Sequence, residues 1–168
     1  MNVITQTNKL TTPTDLGHEA SERVAEAINP LIADALALYV KTKNFHWHLA
    51  GRHFRDYHLL FDEQAAQILA TVDPLAERVR KLGGTTLRSI GHIAQLQKVK
   101  DDDRDFVEAR EMLTELMEEN KGMAQRMRAA HAITSEVKDV ATTSLLEDYI
   151  DQTEERTWFL FEASREAE

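Results

Sequence analysis

Apolar residues recur at intervals of three and four through most of the chain, a spacing typical of amphipathic helices. The first stripe begins near Ser21 and consists of Val24, Ile28, Leu31, Ala35, Leu38 and finally Phe45. Asn29-Pro30 interrupts it, either as the N-cap and first position of a new helix or as a kink within one helix. The stripe keeps its phase across the proline, so the pattern leaves both readings open.

The second predicted helix runs from about Phe54 to Leu82 and is stopped by Gly83-Gly84. Residues 85–100 mix small, polar and apolar side chains, which indicates a long connection with one short helix. No alternation of apolar and polar residues typical of a strand appears there.

Two further helices are predicted in the second half of the chain, over about 103–131 and about 136–163. Asp101-Asp102-Asp103 would place negative charge at the head of the third helix, where the helix dipole favours it. The core candidates of the third helix are Phe106, Met112, Leu113, Leu116, Met117, Met123 and Met127.

These elements predict an all-α protein, an antiparallel four-helix bundle with a short helix in the connection between helices two and three. Residues 1–17 are polar and rich in threonine, and we expect a flexible N-terminal arm. The bundle domain would then occupy residues 18–168. No internal repeat or domain linker argues for a second domain.

Composition narrows the classes of function. The 168 residues include no cysteine and no long apolar run, so we expect one soluble cytoplasmic domain without a secretory signal or membrane span. The formal net charge is −9, and residues 1–17 carry only Lys9 against Asp15. Nucleic-acid affinity depends largely on clustered Lys and Arg, so we expect DNA binding to be weak at best.

The second helix carries two neighbouring stripes when its residues are placed about 100° apart. The bulky stripe, expected to face the core, consists of Phe54, Tyr57, Phe61, Ile68, Val72, Leu75 and Val79. The other stripe interleaves His58, Asp62, Asp73 and Glu77 with Ala65, Ala66, Leu69 and Ala76. Alanines let another helix approach closely, and charges buried at such a contact need a partner, for which a metal cation is the simplest choice.

One copy of the helix cannot bring these four side chains to one metal. Asp62 and Asp73 are eleven residues apart, about 16 Å along the axis at ~1.5 Å per residue. If the helix packs antiparallel against its own copy about a two-fold axis, the His58/Asp62 pair of one chain meets the Asp73/Glu77 pair of the other. The pattern therefore predicts two equivalent sites per dimer.

Asp73-Pro74 supports a competing interpretation. Asp before Pro is a common helix start, with Asp73 as N-cap, and Pro74 removes a backbone donor from a continuous helix. A restarted helix would weaken the argument that all four residues share one face. A kinked helix is compatible with both interpretations, because Val72 and Leu75 keep the core stripe in phase.

Residues 41–84, from KTKNFHWHLAGRHF to RVRKLGG, closely resemble the Dps (DNA protection during starvation) family of ferritin-like mini-ferritins. His46 of the His-Trp pair matches the first iron ligand of that family, and His58, Asp62, Asp73 and Glu77 match the other four in order and spacing. The resemblance implies that the two histidines and Asp62 come from one subunit and that Asp73 and Glu77 come from its two-fold mate. The sequence has no Glu-x-x-His, the pattern of di-iron sites inside a bundle.

The resemblance also implies an activity and an assembly. Each site would bind two Fe(II) ions and oxidise them, with hydrogen peroxide as the preferred oxidant and dioxygen slower. Glu77 would bridge the irons, Asp62 and Asp73 would be terminal oxygen ligands, and His46 and His58 nitrogen ligands. The ferric mineral would collect inside a hollow homo-dodecamer, which would protect against oxidative stress.

Several assignments keep two interpretations. Trp47 is either an electron donor when one iron is present or an interface packing residue, and Trp158 is expected to be ordinary packing. Carboxylates of the last helix either line a three-fold iron-entry pore or form a solvated face. They are Glu147, Asp148, Asp151 and Glu154.

The other histidines lack a matching set of partners and are expected to be structural or on the surface. His53 and His92 are the two that the fold might still bring to a metal.

Two alternatives to a ferroxidase remain. A DNA-compacting protein is disfavoured by the acidic balance, and a metal buffer occupied by zinc would use the same ligands without redox chemistry.

Overall fold

The computed structural model describes residues 8–165, and all regular structure within them is helical. After a 3-10 turn at Asn8–Leu10 come α1 (His18–His48), α2 (Phe54–Ala70), α3 (Val72–Lys81), α4 (Ile90–Leu96), α5 (Ala109–Glu136) and α6 (Val140–Ser164). The four members of the bundle are α1, α2 continued by α3, α5 and α6, so the predicted fold class is confirmed. The predicted short helix in the long connection is α4.

Polar contacts show that the members run antiparallel. Three hydrogen bonds join α2 and α3 to α6, from Tyr57 to Ala163, from Gln64 to Arg156 and from Arg78 to Thr142. In these three pairs the residue numbers rise along α2 and α3 while they fall along α6. The ion pairs of α1 with α5 follow the same rule, with Arg23 on Glu136, Asp34 on Arg126 and Lys41 on Glu119.

The core is apolar and continuous, as the stripes predict. Its fully buried side chains include Phe45, Phe61, Ile28, Leu31, Ile32, Leu38, Ile68, Leu75, Met112, Leu113, Leu116 and Met123. Two core predictions are wrong: Phe54 is 45% exposed and Phe106 is 58% exposed. Phe54 lies in the first turn of α2 and stacks on His58, and Phe106 precedes α5, where its neighbour Val107 is buried instead.

Pro30 lies inside α1, so the first helix does not restart at Asn29-Pro30. The second helix, in contrast, divides at Thr71, which ends α2 and serves as the N-cap residue of α3. Pro74 has no N–H to donate to the carbonyl of Ala70, so the break falls at Thr71, directly after the residue whose carbonyl loses its donor. The N-cap residue is therefore Thr71 and not Asp73, and α3 carries Asp73 in its first turn.

The predicted start of the third helix at 103 is wrong, because α5 begins at Ala109 and extends to Glu136. Arg104 pairs with Asp102 of the same loop and with Glu111 and Glu115 of α5, and these ion pairs join the loop before α5 to the helix. The aspartate run therefore does not cap the helix. The last helix begins at Val140 rather than at 136, since Lys138 adopts a φ of 62° and Asp139 caps the new helix.

The predicted N-terminal arm lies partly outside the described residues, which begin at Asn8. Thr12 Oγ1 donates a hydrogen bond to the carbonyl of Arg80, and Arg80 Nη2 donates to the carbonyl of Leu10. The arm's flexibility and the boundary at residue 18 stay predictions. None of the helices in residues 8–165 combines the length and apolarity that crossing a bilayer requires.

Candidate metal centre

His46 and His58 form the centre of the candidate site. His46 lies in the last turn of α1 and is buried, and His58 lies one turn into α2 and is half-buried. Their rings stack with centroids 3.7 Å apart and planes inclined by 21°, and Phe54 stacks on the other face of His58 at 4.9 Å. The short connection through Gly51, which adopts a φ of 124°, lets α2 turn back so that these residues meet.

Each histidine is oriented by the backbone of the other. His46 Nδ1 lies 2.8 Å from the carbonyl oxygen of His58, and His58 Nδ1 lies 3.0 Å from the carbonyl oxygen of His46. A carbonyl oxygen only accepts, so Nδ1 of both rings must carry the proton. In the neutral rings the lone pair is then on Nε2, the state that a metal ligand requires.

Asp62 lies one turn beyond His58 and is the carboxylate next to this pair. Its Oδ1 is 4.0 Å from His46 Nε2, and its side chain is 56% exposed. Lys43 Nζ donates to the same oxygen at 2.7 Å. This hydrogen bond, followed by the charge of Lys43, holds the pKa of Asp62 below its usual range, so the carboxylate is ionised at neutral pH.

Asp73 and Glu77 lie on α3 and are both exposed. Glu77 Oε2 has Lys81 Nζ at 3.7 Å, one helical turn away, and both side chains are 61% exposed. Ala66 and Leu69, which lie between Asp62 and Asp73 in the sequence, are exposed as well. The three carboxylates of the second stripe, with Ala66 and Leu69, therefore face outward in the single chain, whereas Ala65 is buried and Ala76 is half-buried.

Three of the five predicted ligands, His46, His58 and Asp62, lie near one another, although they do not form a group that could hold a metal ion. Among residues 8–165 of one chain, no three His, Cys, Asp or Glu side chains are placed to hold a metal ion. Asp73 and Glu77 lie beyond the break at Thr71. The predicted ligands thus form two half-sets in the single chain, His46 with His58 and Asp62 as the first and Asp73 with Glu77 as the second.

Trp47 lies beside the first half-set and is 63% exposed. Lys43 Nζ sits 5.9 Å from the centroid of its ring, so one lysine contacts both Trp47 and Asp62. Sequence reasoning missed Lys43, although its position three residues before His46 places it on the same face of α1. Trp158, expected to be ordinary packing, is instead 59% exposed and packs edge-on against Phe159.

Of the four exposed acidic residues proposed for a pore, two have a basic partner within the chain. Glu147 Oε1 lies 3.0 Å from His131 Nε2, and Glu154 pairs with Arg128. Asp148 and Asp151 are exposed. Two of the four thus pair with basic residues of α5 within the chain.

The remaining histidines have local roles. His18 lies 3.5 Å from Glu22, and His48 contacts Asn44. His53 packs near Tyr57, and the backbone N–H of His92 donates to Ser89 at the start of α4.

Comparison with known proteins gives a consistent family. The model of the ferritin-like domain matches residues 25–166. DNA protection during starvation protein 1 from Deinococcus radiodurans is 30% identical over 139 residues, which cover 83% of this chain and 67% of that protein.

Two solved structures share the architecture. DpsC from Streptomyces coelicolor superposes with a TM-score of 0.90 at 28% identity, over 94% of this chain and 92% of that one. The Dps protein from Vibrio cholerae, described as a member of a broad superfamily of ferritin-like diiron-carboxylate proteins, superposes with a TM-score of 0.83 at 25% identity. That match covers 88% of this chain and 92% of the other. With its helical order and the His46, His58 and Asp62 cluster, this chain belongs to the Dps family of ferritin-like proteins.

Proposed function

We propose that this protein is a ferroxidase and iron-storage mini-ferritin that oxidises Fe(II) at a site between two subunits. The observation that carries the proposal is the pair of stacked histidines whose Nδ1 atoms are occupied by backbone carbonyls. This arrangement leaves two Nε2 lone pairs beside an ionised carboxylate, Asp62. Membership in a ferritin-like family supports iron as the metal.

The donor set fits Fe(II). Imidazole nitrogen and carboxylate oxygen are ligands that iron accepts readily, and the exposure of Asp62 leaves room for an oxidant. Zinc accepts the same ligands and is the expected competitor. Lys43 Nζ donates to Asp62 Oδ1, so binding of a metal through that oxygen would compete with this hydrogen bond.

A second copy of the chain supplies the other half of the site in this proposal. Asp73 and Glu77 are too far along the helical axis to reach the iron held by His58 and Asp62 of the same chain. Their exposure, together with that of Ala66 and Leu69, leaves the face open to a two-fold partner. Glu77 would then bridge two irons and Asp73 would be a terminal ligand, in a dodecameric shell that stores the ferric product.

The reaction balances with two irons and one peroxide. Two Fe(II) ions each lose one electron, and hydrogen peroxide takes both electrons and two protons to give two waters. Because two irons supply both electrons together, no hydroxyl radical, the product of one-electron reduction of peroxide, is released. This is how the reaction would protect against oxidative damage. Dioxygen would serve as a slower acceptor, and a cytoplasmic location would place the protein where Fe(II) and peroxide meet.

Two further assignments depend on the assembly. Trp47 lies close enough to His46 in the chain to supply an electron when one iron is bound, and its 63% exposure equally suits packing against a partner. Asp148 and Asp151 are the better candidates for an iron-entry pore, because Glu147 and Glu154 are already paired. A Trp47→Phe variant with unchanged oxidation kinetics and weakened association would assign the packing role.

The test is the double substitution Asp62→Ala plus Glu77→Ala, assayed by stopped-flow absorbance after mixing Fe(II) with peroxide. We expect rapid oxidation to be lost while the size of the assembly in solution is retained. Asp56→Ala plus Glu63→Ala is the matched control, since it removes two exposed carboxylates from α2 outside the site. Unchanged kinetics in the first variant would refute the site, and a wild-type protein that binds Fe(II) without oxidising it would identify a metal buffer.

A further inference from the structure

Helix α3, which carries Asp73 and Glu77, is joined to α2 through Thr71, which keeps helical backbone angles, and the Leu75 N–H donates to the Thr71 carbonyl at 3.3 Å. The break at Thr71 interrupts the hydrogen-bond ladder, because Pro74 has no N–H for the carbonyl of Ala70. Helix α3 has only ten residues, Val72–Lys81, and ends just before the turn at Gly83. Contacts with other helices therefore add to this weakened connection in fixing the direction of α3.

One such contact is a polar clamp between α3 and the start of α6, formed by Arg78, Asp139 and Thr142. Arg78 Nη2 donates to Asp139 Oδ1 at 2.7 Å, and Arg78 Nε donates to Thr142 Oγ1 at 2.8 Å. The Thr142 hydroxyl in turn donates to Asp139 Oδ2, and the Thr142 N–H donates to Asp139 Oδ1 at 3.2 Å. Asp139 is at once the N-cap of α6 and the acceptor for α3.

The clamp is buried and closely defined in geometry. The side chain of Asp139 is 1% exposed and that of Arg78 is 18% exposed. A planar guanidinium that donates through both Nε and Nη2 restricts rotation as well as distance. Leu75 and Val79 of the same helix are buried in the core on either side of Arg78.

Arg78 follows Glu77 directly in the sequence and lies five residues after Asp73. Within one short helix, fixing the position of Arg78 fixes the positions of these two carboxylates relative to the bundle. We propose that Arg78, through its clamp on Asp139, is a positioning residue that presents Asp73 and Glu77 to the iron site of the partner subunit. This inference rests on the proposed function, since it takes Asp73 and Glu77 as ligands.

The proposal makes a specific kinetic prediction. If α3 is displaced, Asp73 and Glu77 must move back into position when the metal binds, which weakens binding. Once the metal is bound the ligands are in place, so we expect the effect on metal affinity and not on kcat. Loss of groups that orient metal ligands weakens binding by about 10- to 100-fold. We expect Arg78→Met to raise the half-saturating Fe(II) concentration about tenfold, with kcat at saturating Fe(II) within about twofold of wild type.

The experiment separates positioning from stability by using a double variant. Arg78→Met alone leaves the buried Asp139 carboxylate without its cation and destabilises the fold, whereas Arg78→Met plus Asp139→Asn leaves no buried charge and keeps a good N-cap residue. We expect the double variant to recover most of the lost thermal stability but not the lost affinity. Arg78→Lys, which keeps the charge but cannot donate through Nε, should fall between wild type and Arg78→Met.

Co(II) is the probe that does not depend on oxidation. Its binding is titrated by visible absorption in each variant, with Glu77→Ala as the reference for loss of the half-site. Arg126→Met is the stability control, because it removes the ion partner of the buried Asp34 far from α3. It should lower the unfolding temperature without changing the Co(II) Kd.

Three results would overturn the proposal in distinguishable ways. An unchanged Co(II) Kd in the double variant would show that the clamp does not position the ligands. A recovery of Co(II) affinity together with stability, or an equal loss of affinity in Arg126→Met, would assign Arg78 a purely structural role. If Glu77→Ala itself leaves Co(II) binding of the wild type unaltered, the proposed site fails and the inference falls with it.

Discussion

Asp34 is a carboxylate in the middle of α1 that is fully buried, and its removal should be one of the most damaging single changes in the chain. Its Oδ1 accepts the backbone N–H groups of Lys98 and Val99 at 2.5 and 3.0 Å. Its Oδ2 lies 2.6 Å from Arg126 Nε, although the N–H does not point along that line, so the contact is an ion pair rather than a hydrogen bond. One side chain thus joins α1, α5 and the segment after α4.

The magnitude follows from what Asp34→Ala leaves behind. Breaking a buried ion pair costs about 3–5 kcal/mol, because the remaining charge has no partner. The side chain of Arg126 is 29% exposed, so water reaches it and the lower end applies to this term. The N–H of the buried Val99 loses its acceptor, at about 1–3 kcal/mol. A total of about 4–6 kcal/mol corresponds to a fall in Tm of roughly 8–24 °C for a domain of this size.

The assay is thermal unfolding followed by circular dichroism, at one protomer concentration and in the presence of a chelator, since assembly and metal both stabilise the folded state. Arg23→Gln is the control, because it breaks an ion pair with Glu136 that joins the same two helices at the surface. We expect it to move Tm by less than about 2 °C. A Tm of Asp34→Ala as close to wild type as that of Arg23→Gln would refute the reasoning.

Two further predictions concern the start of α5. The hydrogen bond from Arg104 holds the pKa of Asp102 at about 2, below its ordinary 3.8, so this group stabilises the fold above pH ~4 and the stabilisation is lost as pH falls towards 2. When unfolding temperatures are measured at several pH values, the difference between wild type and Asp102→Asn should become smaller from pH ~4 to pH ~2. A difference that does not change with pH would contradict the assignment. Leu116→Ala should cost about 2–5 kcal/mol in denaturant unfolding because Leu116 is fully buried, whereas Phe106→Ala should cost less than about 1 kcal/mol, and equal losses would show that Phe106 belongs to the core.

Sequence periodicity was sufficient for the order of the helices because each apolar stripe repeats a local rule. It failed at helix boundaries, which depend on side-chain contacts that the periodicity of apolar residues does not encode. The start of α5 depends on Arg104 drawing in Asp102, Glu111 and Glu115, and no spacing in the sequence reveals that cluster. The run Asp101-Asp102-Asp103 was therefore placed at the N-terminus of a helix, although α5 begins at Ala109.

The candidate site shows the same division. The spacing of His58, Asp62, Asp73 and Glu77 was visible in the sequence, as was the distance that separates them into two pairs. The sequence did not reveal that each histidine ring hydrogen-bonds to the backbone carbonyl of the other histidine, because this depends on how α2 turns back onto α1. The sequence left open a kinked continuous helix or a restart capped by Asp73. The structure has the restart at Thr71, because Pro74 leaves the carbonyl of Ala70 without its donor.

The central claim is that each iron site takes His46, His58 and Asp62 from one chain and Asp73 and Glu77 from another. Mixed assemblies of Asp62→Ala chains and Glu77→Ala chains test it most directly, with each variant alone as the inactive reference. In a mixed two-fold pair, one site carries both substitutions and the other carries neither, so random pairing of equal amounts should restore about one quarter of the wild-type rapid oxidation. Mixed assemblies as inactive as either variant alone would show that the ligands of one iron site all come from a single chain.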